Sequence, residues 1–286
     1  MKTMKFINIF IICSVILVLT CYASIAANLS TPLMPVEAHP NSYVGLVFGA
    51  GQNMQDGVAY VNCDSCFFKG GVDWGFTAGI NFERQFTGDP DSYWKYFKYG
   101  VMLLYSTKNI NPAFVENTNN YLPNYDIYVP LLMKHTNKIS ISQIGLSPHL
   151  TYDFFDFAFV RMAVAVDYLI SGNMKHEIEL LEKTKILPNG EKVSVSIPVK
   201  NSNKKVYNYT VEEGNIRDQN KLQFALMPGL GFNINLSPKI ILSASFNYTI
   251  PLNNISEYGE NFRESTWRTL LELKYNITDT SNIYKK

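Results

Sequence analysis

Two sets of side chains in this sequence have types and spacing that could do chemistry. The first is Cys63 and Cys66, in the run Cys63-Asp64-Ser65-Cys66. In an exported chain this spacing points to a small loop disulfide, with free or reactive thiols as the alternative. A redox motif would need a thioredoxin-like βαβ setting, and none surrounds it. A zinc site would need further ligands nearby, whereas the four histidines, His39, His135, His149 and His176, are scattered along the chain. The second set comprises Glu83, Lys98, His149, Arg161, Asp167, Arg268, Glu272 and Lys274, each set in a stretch of alternating polarity. Charges of both signs on one buried face must be paired or hydrated. The expected chemistry is therefore a set of salt bridges filling a narrow lumen, with a solute path lined by charges as the alternative. Catalysis would need a nucleophile beside His149 or Asp167, and no spacing implies one. The chain carries no Walker loop, no dinucleotide-binding glycine pattern, no His-Glu-x-x-His and no Gly-x-Ser-x-Gly. No catalytic, cofactor-binding or metal-ligating residue is assigned, and no cofactor is expected. His39, His135 and His176 fall in lead-in or loop segments and are expected to be solvated.

The elements that must position these charges show best in residues 219–277. There Leu222, Phe224, Leu226, Leu230, Phe232 and Ile234 alternate with Gln223, Ala225, Met227, Gly229, Gly231 and Asn233. After the turn Ser237-Pro238-Lys239, the residues Leu242, Ala244, Phe246, Tyr248 and Ile250 alternate with Ser243, Ser245, Asn247 and Thr249. Finally Trp267, Leu271, Leu273, Tyr275 and Ile277 alternate with Arg268, Glu272, Lys274 and Asn276. A period of two means strands with one apolar and one polar face. These strands are long enough, tilted, to cross a bilayer.

Five earlier segments read the same way: about 42–51, 73–84, 95–107, 138–152 and 156–170. Gly45, Gly49 and Gly51 share one face of the first. Ile139 and Ile141 break the polar parity of the fourth, so a bulge or a strand extension at loop level is expected there. Residues 108–137 read as a long Asn-rich loop. Residues 192–213 read as a hairpin around Asn201-Ser202-Asn203 projecting into water, with two further wall strands as the alternative. The expected fold is all-β, a single antiparallel transmembrane barrel of eight strands, or ten if that hairpin joins the wall.

Composition agrees. The formal net charge of +1 gives no electrostatic argument for nucleic acid, and no nucleic-acid partner is expected. Hydrophobic residues make up 47% of the chain, yet mean hydropathy is only -0.05, which fits a half-polar barrel better than a helical membrane protein. Lys2 and Lys5 precede an apolar run from Phe6 to Leu19 and then small residues, the form of a secretory signal peptide. Cleavage after Ala26 is expected; an uncleaved anchor and lipidation at Cys21 are the alternatives. The divisions are 1–26 signal, 27–41 lead-in, 42–277 barrel and 278–286 tail.

The connections are sorted by length. Long ones (52–72, 108–137, 171–218, 251–264) follow odd-numbered strands, and short ones (85–94, 153–155, 235–238) follow even-numbered strands. Outer-membrane barrels have long external loops and short periplasmic turns. Aromatic residues gather at both strand ends: Trp74, Tyr105, Tyr168, Phe224, Tyr248 and Trp267 on the loop side, and Tyr43, Phe82, Tyr152, Phe232 and Tyr275 on the turn side. Such belts suit membrane interfaces.

The signal peptide, Tyr43-Val44-Gly45-Leu46, Met227-Pro228-Gly229-Leu230-Gly231 and the final amphipathic strand resemble the small porin-like outer-membrane β-barrel family of Gram-negative bacteria. The resemblance covers about 42–277. It implies Sec-type export to the bacterial outer membrane, contact with outer-membrane lipid and handling by the barrel assembly machinery. It does not imply one function, since members serve as anchors, adhesins, narrow pores or lipid-contact proteins. The first expectation is a non-enzymatic membrane anchor presenting surface loops to an extracellular partner. The second is a narrow channel for ions or small apolar molecules. The third is a soluble lipocalin-like carrier, apolar inside and polar outside.

Overall fold

The computed structural model describes residues 40–61, 66–122, 125–155, 157–187, 190–197 and 206–278. The signal segment, Cys63, the Asn201-Ser202-Asn203 turn and residues 279–286 lie outside the described residues. The strands are β1 (Ser42–Tyr60), β2 (Phe67–Lys69), β3 (Val72–Gln85), β4 (Phe97–Ile110), β5 (Ala113–Leu122), β6 (Ile127–Phe155) and β7 (Ala158–Leu180). They continue with β8 (Thr184–Ile186), β9 (Lys192–Ser194), β10 (Asn208–Asn215), β11 (Leu222–Ser237), β12 (Ile240–Pro251) and β13 (Gly259–Asn276).

Eight of them close a ring in the order β1-β3-β4-β6-β7-β11-β12-β13, and β13 pairs back onto β1. All neighbours are antiparallel. From Phe48 the register runs through Ala78, Tyr105, Ile144 and Tyr168 to Leu222. The other way it runs through Leu271 and Ala244 to Phe232. The two routes meet on β11 ten residues apart, Leu222 against Phe232, and that offset is the shear of the barrel. Eight strands with this shear tilt by about 40° and enclose a space that side chains fill.

The alternation decides which face is inside. Val164, Phe246 and Leu271 are 43%, 51% and 51% exposed, while Arg161 and Glu272 are 2% and 0% exposed. The wall is thus apolar outside and polar inside, the inverse of a lipocalin-like carrier. Pro148 and Pro228 both sit within wall strands, opposite Val101 and Met162. Gly100 makes inner space for a larger neighbour, since a Cβ there would stand 2.7 Å from the His149 ring.

At one end the strands are joined closely. The Ser237 hydroxyl accepts from the backbone of Lys239 and Ile240 to form the β11–β12 turn. The β3–β4 connection holds a one-turn 3-10 helix over Tyr93–Tyr96. Its rings cluster with Phe86, Tyr99, Phe97 and Tyr152, thickening the aromatic belt on this side. Tyr43 departs from the expected belt. It is buried and faces inward, with Lys98 Nζ 5.8 Å from its ring centre. At the seam, Ser42 N donates to Thr278 Oγ1 at 2.8 Å and Asn276 Nδ2 donates to Asn41 Oδ1 at 3.0 Å. The last residues of the lead-in and the first of the tail therefore close the ring.

At the other end the expected long loops are largely folded. Residues 108–137 are not an irregular loop. They hold β5 and the outer part of β6, paired from Ala113↔Thr136 to Leu122↔Ile127. β6 and β7 run on together past the ring as far as Met133↔Leu180, and β10 adds to β7. A four-stranded sheet, β5-β6-β7-β10, thus projects from one side of the rim. The segment read as a 192–213 hairpin keeps one antiparallel bridge about the expected turn, and its arms also pair elsewhere. β9 pairs with β8, Ile197 bridges to Val206, and β10 lies on β7 outside the ring, so neither half is a wall strand. The irregularity expected near Ile139 and Ile141 exists, but the extra residue is Ile170 of β7, between Ser142↔Ser171 and Gln143↔Leu169. Ile139 and Ile141 keep inward parity; the interior around them has become apolar.

Candidate functional site

The inner wall carries two tiers of charge separated by an apolar belt. The lower tier lies near the short turns. Glu83 stands at its centre, with Lys274 Nζ at 2.9 Å, Arg161 Nη2 at 3.5 Å, Lys98 Nζ at 3.7 Å and His149 Nε2 at 3.8 Å. Arg161 grips Glu272 with both terminal nitrogens. Asn81 Nδ2 donates to the same carboxylate at 2.9 Å. Lys98 also reaches Asp153 at 2.6 Å. Phe159 closes the tier, with the Arg161 guanidinium 5.2 Å and Lys274 Nζ 5.4 Å from its ring centre. Three carboxylates (Glu83, Asp153, Glu272) face three permanent cations (Lys98, Arg161, Lys274). Buried carboxylates and cations persist when they are paired in this way.

Above them Val47, Met102, Leu104, Ala163, Met227 and Leu270 form one buried apolar cluster across the lumen. The upper tier follows. Lys108 Nζ lies 3.3 Å from Glu264 Oε2, Thr266 Oγ1 donates to Glu264 Oε1 at 3.2 Å, and Gln143 Nε2 donates to Asp167 Oδ2 at 2.5 Å. Arg268 Nη1 donates to Ser106 Oγ at 3.4 Å. Beside this tier, between Lys108, Gln143, Asp167, Thr249 and Glu264, is a cavity large enough for about one water. A second apolar cluster closes the loop-side mouth. It joins Phe68, Ile110, Ile139, Ile141, Leu169, Ile255 and Phe262, among others, and includes residues from three connections.

All eight lumen candidates therefore face inward, but in two groups. Glu83, Lys98, His149, Arg161, Glu272 and Lys274 share the lower tier; Asp167 and Arg268 belong to the upper one. His149 and Asp167, the pair that an enzymatic reading would invoke, are thus in different tiers. Asp153, Lys108 and Glu264 complete the tiers and were not foreseen. Each has the inward parity of its strand but lies just beyond the range that alternation marked.

Two histidines expected in solvent are instead buried. His135 on β6 and His176 on β7 sit in the projecting sheet, with His135 Nδ1 3.1 Å from His176 Nε2. Phe114 stacks on His135 at 4.7 Å and Phe68 meets the His176 ring edge-on at 5.2 Å. Glu116 Oε2 is 3.2 Å from His135 Nε2. Burial, and then the neighbouring His135, push the His176 imidazole down to about 4. Burial also lowers His135, against the pull of Glu116. Both rings are therefore neutral near pH 7. The sulfur of Cys66, which is disulfide-bonded, and one ring nitrogen of each histidine lie within 4.8 Å of one another.

No protein-family model matches the chain, and no curated protein matches it. Among solved structures the chain is similar to the attachment invasion locus protein Ail of Yersinia pestis, crystallised with the heparin analogue sucrose octasulfate. Identity is 12%, coverage 82% of this chain and 99% of that one, and TM-score 0.32. It is also similar to Neisserial surface protein A, at 10% identity, 82% and 97% coverage and TM-score 0.34. A third likeness is to the outer membrane protease OmpT of Escherichia coli, at 10% identity, 87% and 100% coverage and TM-score 0.29.

Proposed function

We propose that this protein is a non-enzymatic outer-membrane anchor whose sealed barrel holds a folded outer sheet for contact with an extracellular partner. One observation carries the reading: the lumen is filled at four successive levels. Among the described residues two balanced charge tiers alternate with two apolar clusters, which supports an interior that props the wall over one that conducts solute. Placement in a bilayer follows from the outer face. From Ile277 to Trp267 the apolar side of β13 rises about 25 Å at the tilt above, the height of an outer-membrane apolar band. Trp74, Tyr168 and Trp267 mark one edge of that band, and Tyr99, Phe82, Phe232 and Tyr275 the other. The β5-β6-β7-β10 sheet then stands on the external side, since the long connections are there.

The test is direct. Protein purified from the outer-membrane fraction, with heat-modifiable gel mobility as the sign of a folded barrel, is reconstituted in planar bilayers. The anchor reading expects no steady single-channel current. A stable ohmic conductance in folded protein would replace it with the narrow-channel reading.

A further inference from the structure

Cys66, His135 and His176 are brought together by three separate segments; Cys66 also belongs to the apolar cluster at the loop-side mouth, whereas the two imidazoles stand outside it. The two imidazoles stand at the spacing of a chelate, with the sulfur within 4.8 Å. Two imidazoles bound to one tetrahedral zinc stand about 3.3 Å apart at their ligating nitrogens, given zinc–nitrogen bonds near 2.0–2.1 Å. His135 Nδ1 and His176 Nε2 are 3.1 Å apart without an ion. The far nitrogen of His135 faces the Glu116 carboxylate, the arrangement that orients a ligating imidazole through its other nitrogen. A further observation points the same way. Asn137 stands opposite His176 in the β6–β7 register, is wholly buried, and neither its Oδ1 nor its Nδ2 has a hydrogen-bond partner. His176 Nδ1 is likewise buried without a partner. Buried polar atoms left unpaired in native structures call for an explanation.

We propose that Cys66, His135 and His176 form a thiol-gated site for a soft transition metal of the zinc or copper(I) class, with Asn137 beside the fourth position. The gate is the disulfide of Cys66. A dithiol reductant cleaves the sulfur–sulfur bond, supplies two electrons and closes to its own cyclic disulfide. Cys66 and its partner cysteine leave as thiols. Metal binding then displaces the Cys66 proton to solvent, and the thiolate joins two neutral imidazole nitrogens. In the disulfide state the sulfur is a poor donor, and the two rings share one hydrogen bond. Phe68 and Phe114 wall the site from water and favour a compact, low-charge metal complex.

Cobalt(II) is the probe, because thiolate coordination gives it a charge-transfer band and tetrahedral geometry gives intense visible bands. The full-length folded barrel in detergent, checked by heat-modifiable mobility before and after treatment, is titrated with cobalt in its oxidised form and after reduction by a dithiol. The expected result is one cobalt per reduced chain, with the thiolate band, and binding at least about 100-fold weaker in the oxidised chain. Zinc displaces the cobalt. H135A and H176A in the reduced chain each weaken binding at least about tenfold, on the scale of lost metal ligands or their supports, while C66S removes the thiolate band. Equal binding by oxidised and reduced protein, or a thiolate band that survives C66S, overturns the proposal. So does a folded reduced chain that binds cobalt no better than H135A; the histidine pair is then a structural hydrogen bond alone.

Discussion

Replacing Arg161 by Met tests whether the lower tier is a dry, charge-balanced seal. The side chains are of similar length, so the change removes charge and donors with little loss of volume. Arg161 donates to both oxygens of Glu272 and stands 3.5 Å from Glu83. Without it, Glu272 keeps Asn81 at 2.9 Å and Lys274 at 3.6 Å, and Glu83 keeps Lys274 at 2.9 Å. Three carboxylates then face two permanent cations. Breaking one partner out of a buried pair costs about 3–5 kcal/mol. The surviving contacts put the expected loss near the lower end, about 3 kcal/mol. The assay is urea unfolding of the barrel in lipid vesicles, followed by gel mobility and tryptophan fluorescence. The paired change Arg161→Met with Glu272→Gln leaves two carboxylates and two cations and lets Asn81 keep its acceptor. It is expected to recover at least half of the loss. If Arg161→Met costs less than about 1 kcal/mol, the tier behaves as a set of exposed ion pairs and the seal argument fails. A double variant no more stable than the single one refutes the charge-balance argument in particular.

Other expectations follow from the same geometry. Val164→Arg places a charge on the outer apolar face and is expected to cost about 2–4 kcal/mol at mid-bilayer depth; heat-modifiable mobility after assembly into vesicles measures it, and normal assembly counts against the wall orientation. Gly100→Val pushes side-chain atoms into the His149 ring and is expected to slow folding and lower the urea midpoint, whereas Gly214→Val, where the same added Cβ meets nothing within 4 Å, should leave the midpoint unchanged. Converting Met102 and Leu270 together to Ser thins the apolar belt between the charge tiers. Planar-bilayer recordings should then show small transient currents where the native chain shows none, and continued silence would assign the seal to the charge tiers alone.

The wall was legible because a half-buried strand writes its orientation into every second residue. All eight ring strands, their order of long and short connections and the inward set from Glu83 to Lys274 follow from that alternation. It fails where both faces of a strand are covered. The outer ends of β6 and β7 pack against Val195, Ile197 and Tyr207 on one side and carry ion pairs such as Lys138–Glu177 elsewhere, so Asn-rich and Lys-rich segments read as loop. Tyr43 was misplaced for a related reason. Its ring suits an interfacial belt as well as it suits a cation inside the lumen, and parity alone, which puts it with Gly45 and Val47, distinguishes the two.

The histidine pair is not legible in the sequence because its facing depends on one bulge. In the β6–β7 hairpin, Tyr152 faces Val160 and Leu146 faces Val166. An antiparallel register conserves the sum of paired residue numbers, so extending it outward predicts that position 135 lies opposite 177 and position 137 opposite 175. The one-residue bulge at Ile170 moves these partners by one, to Ile178 and His176. That shift turns His176 to the same face as His135, directly opposite Asn137. Were Ile170 paired in register instead, His176 would point away, and neither the ring–ring contact nor the three-donor cluster with Cys66 could form. Deleting Ile170 should therefore close the bulge and keep Asn137 opposite His176, whereas inserting one alanine after Ile170, with the bulge still one residue wide, should bring Lys175 opposite Asn137 and turn His176 to the other face. The check is loss of the His135–His176 coupling in imidazole chemical shifts in the insertion variant alone, with heat-modifiable mobility unchanged in both. Retained coupling in the insertion variant would show that the sheet above the rim sets its own register, independent of the wall that carries it.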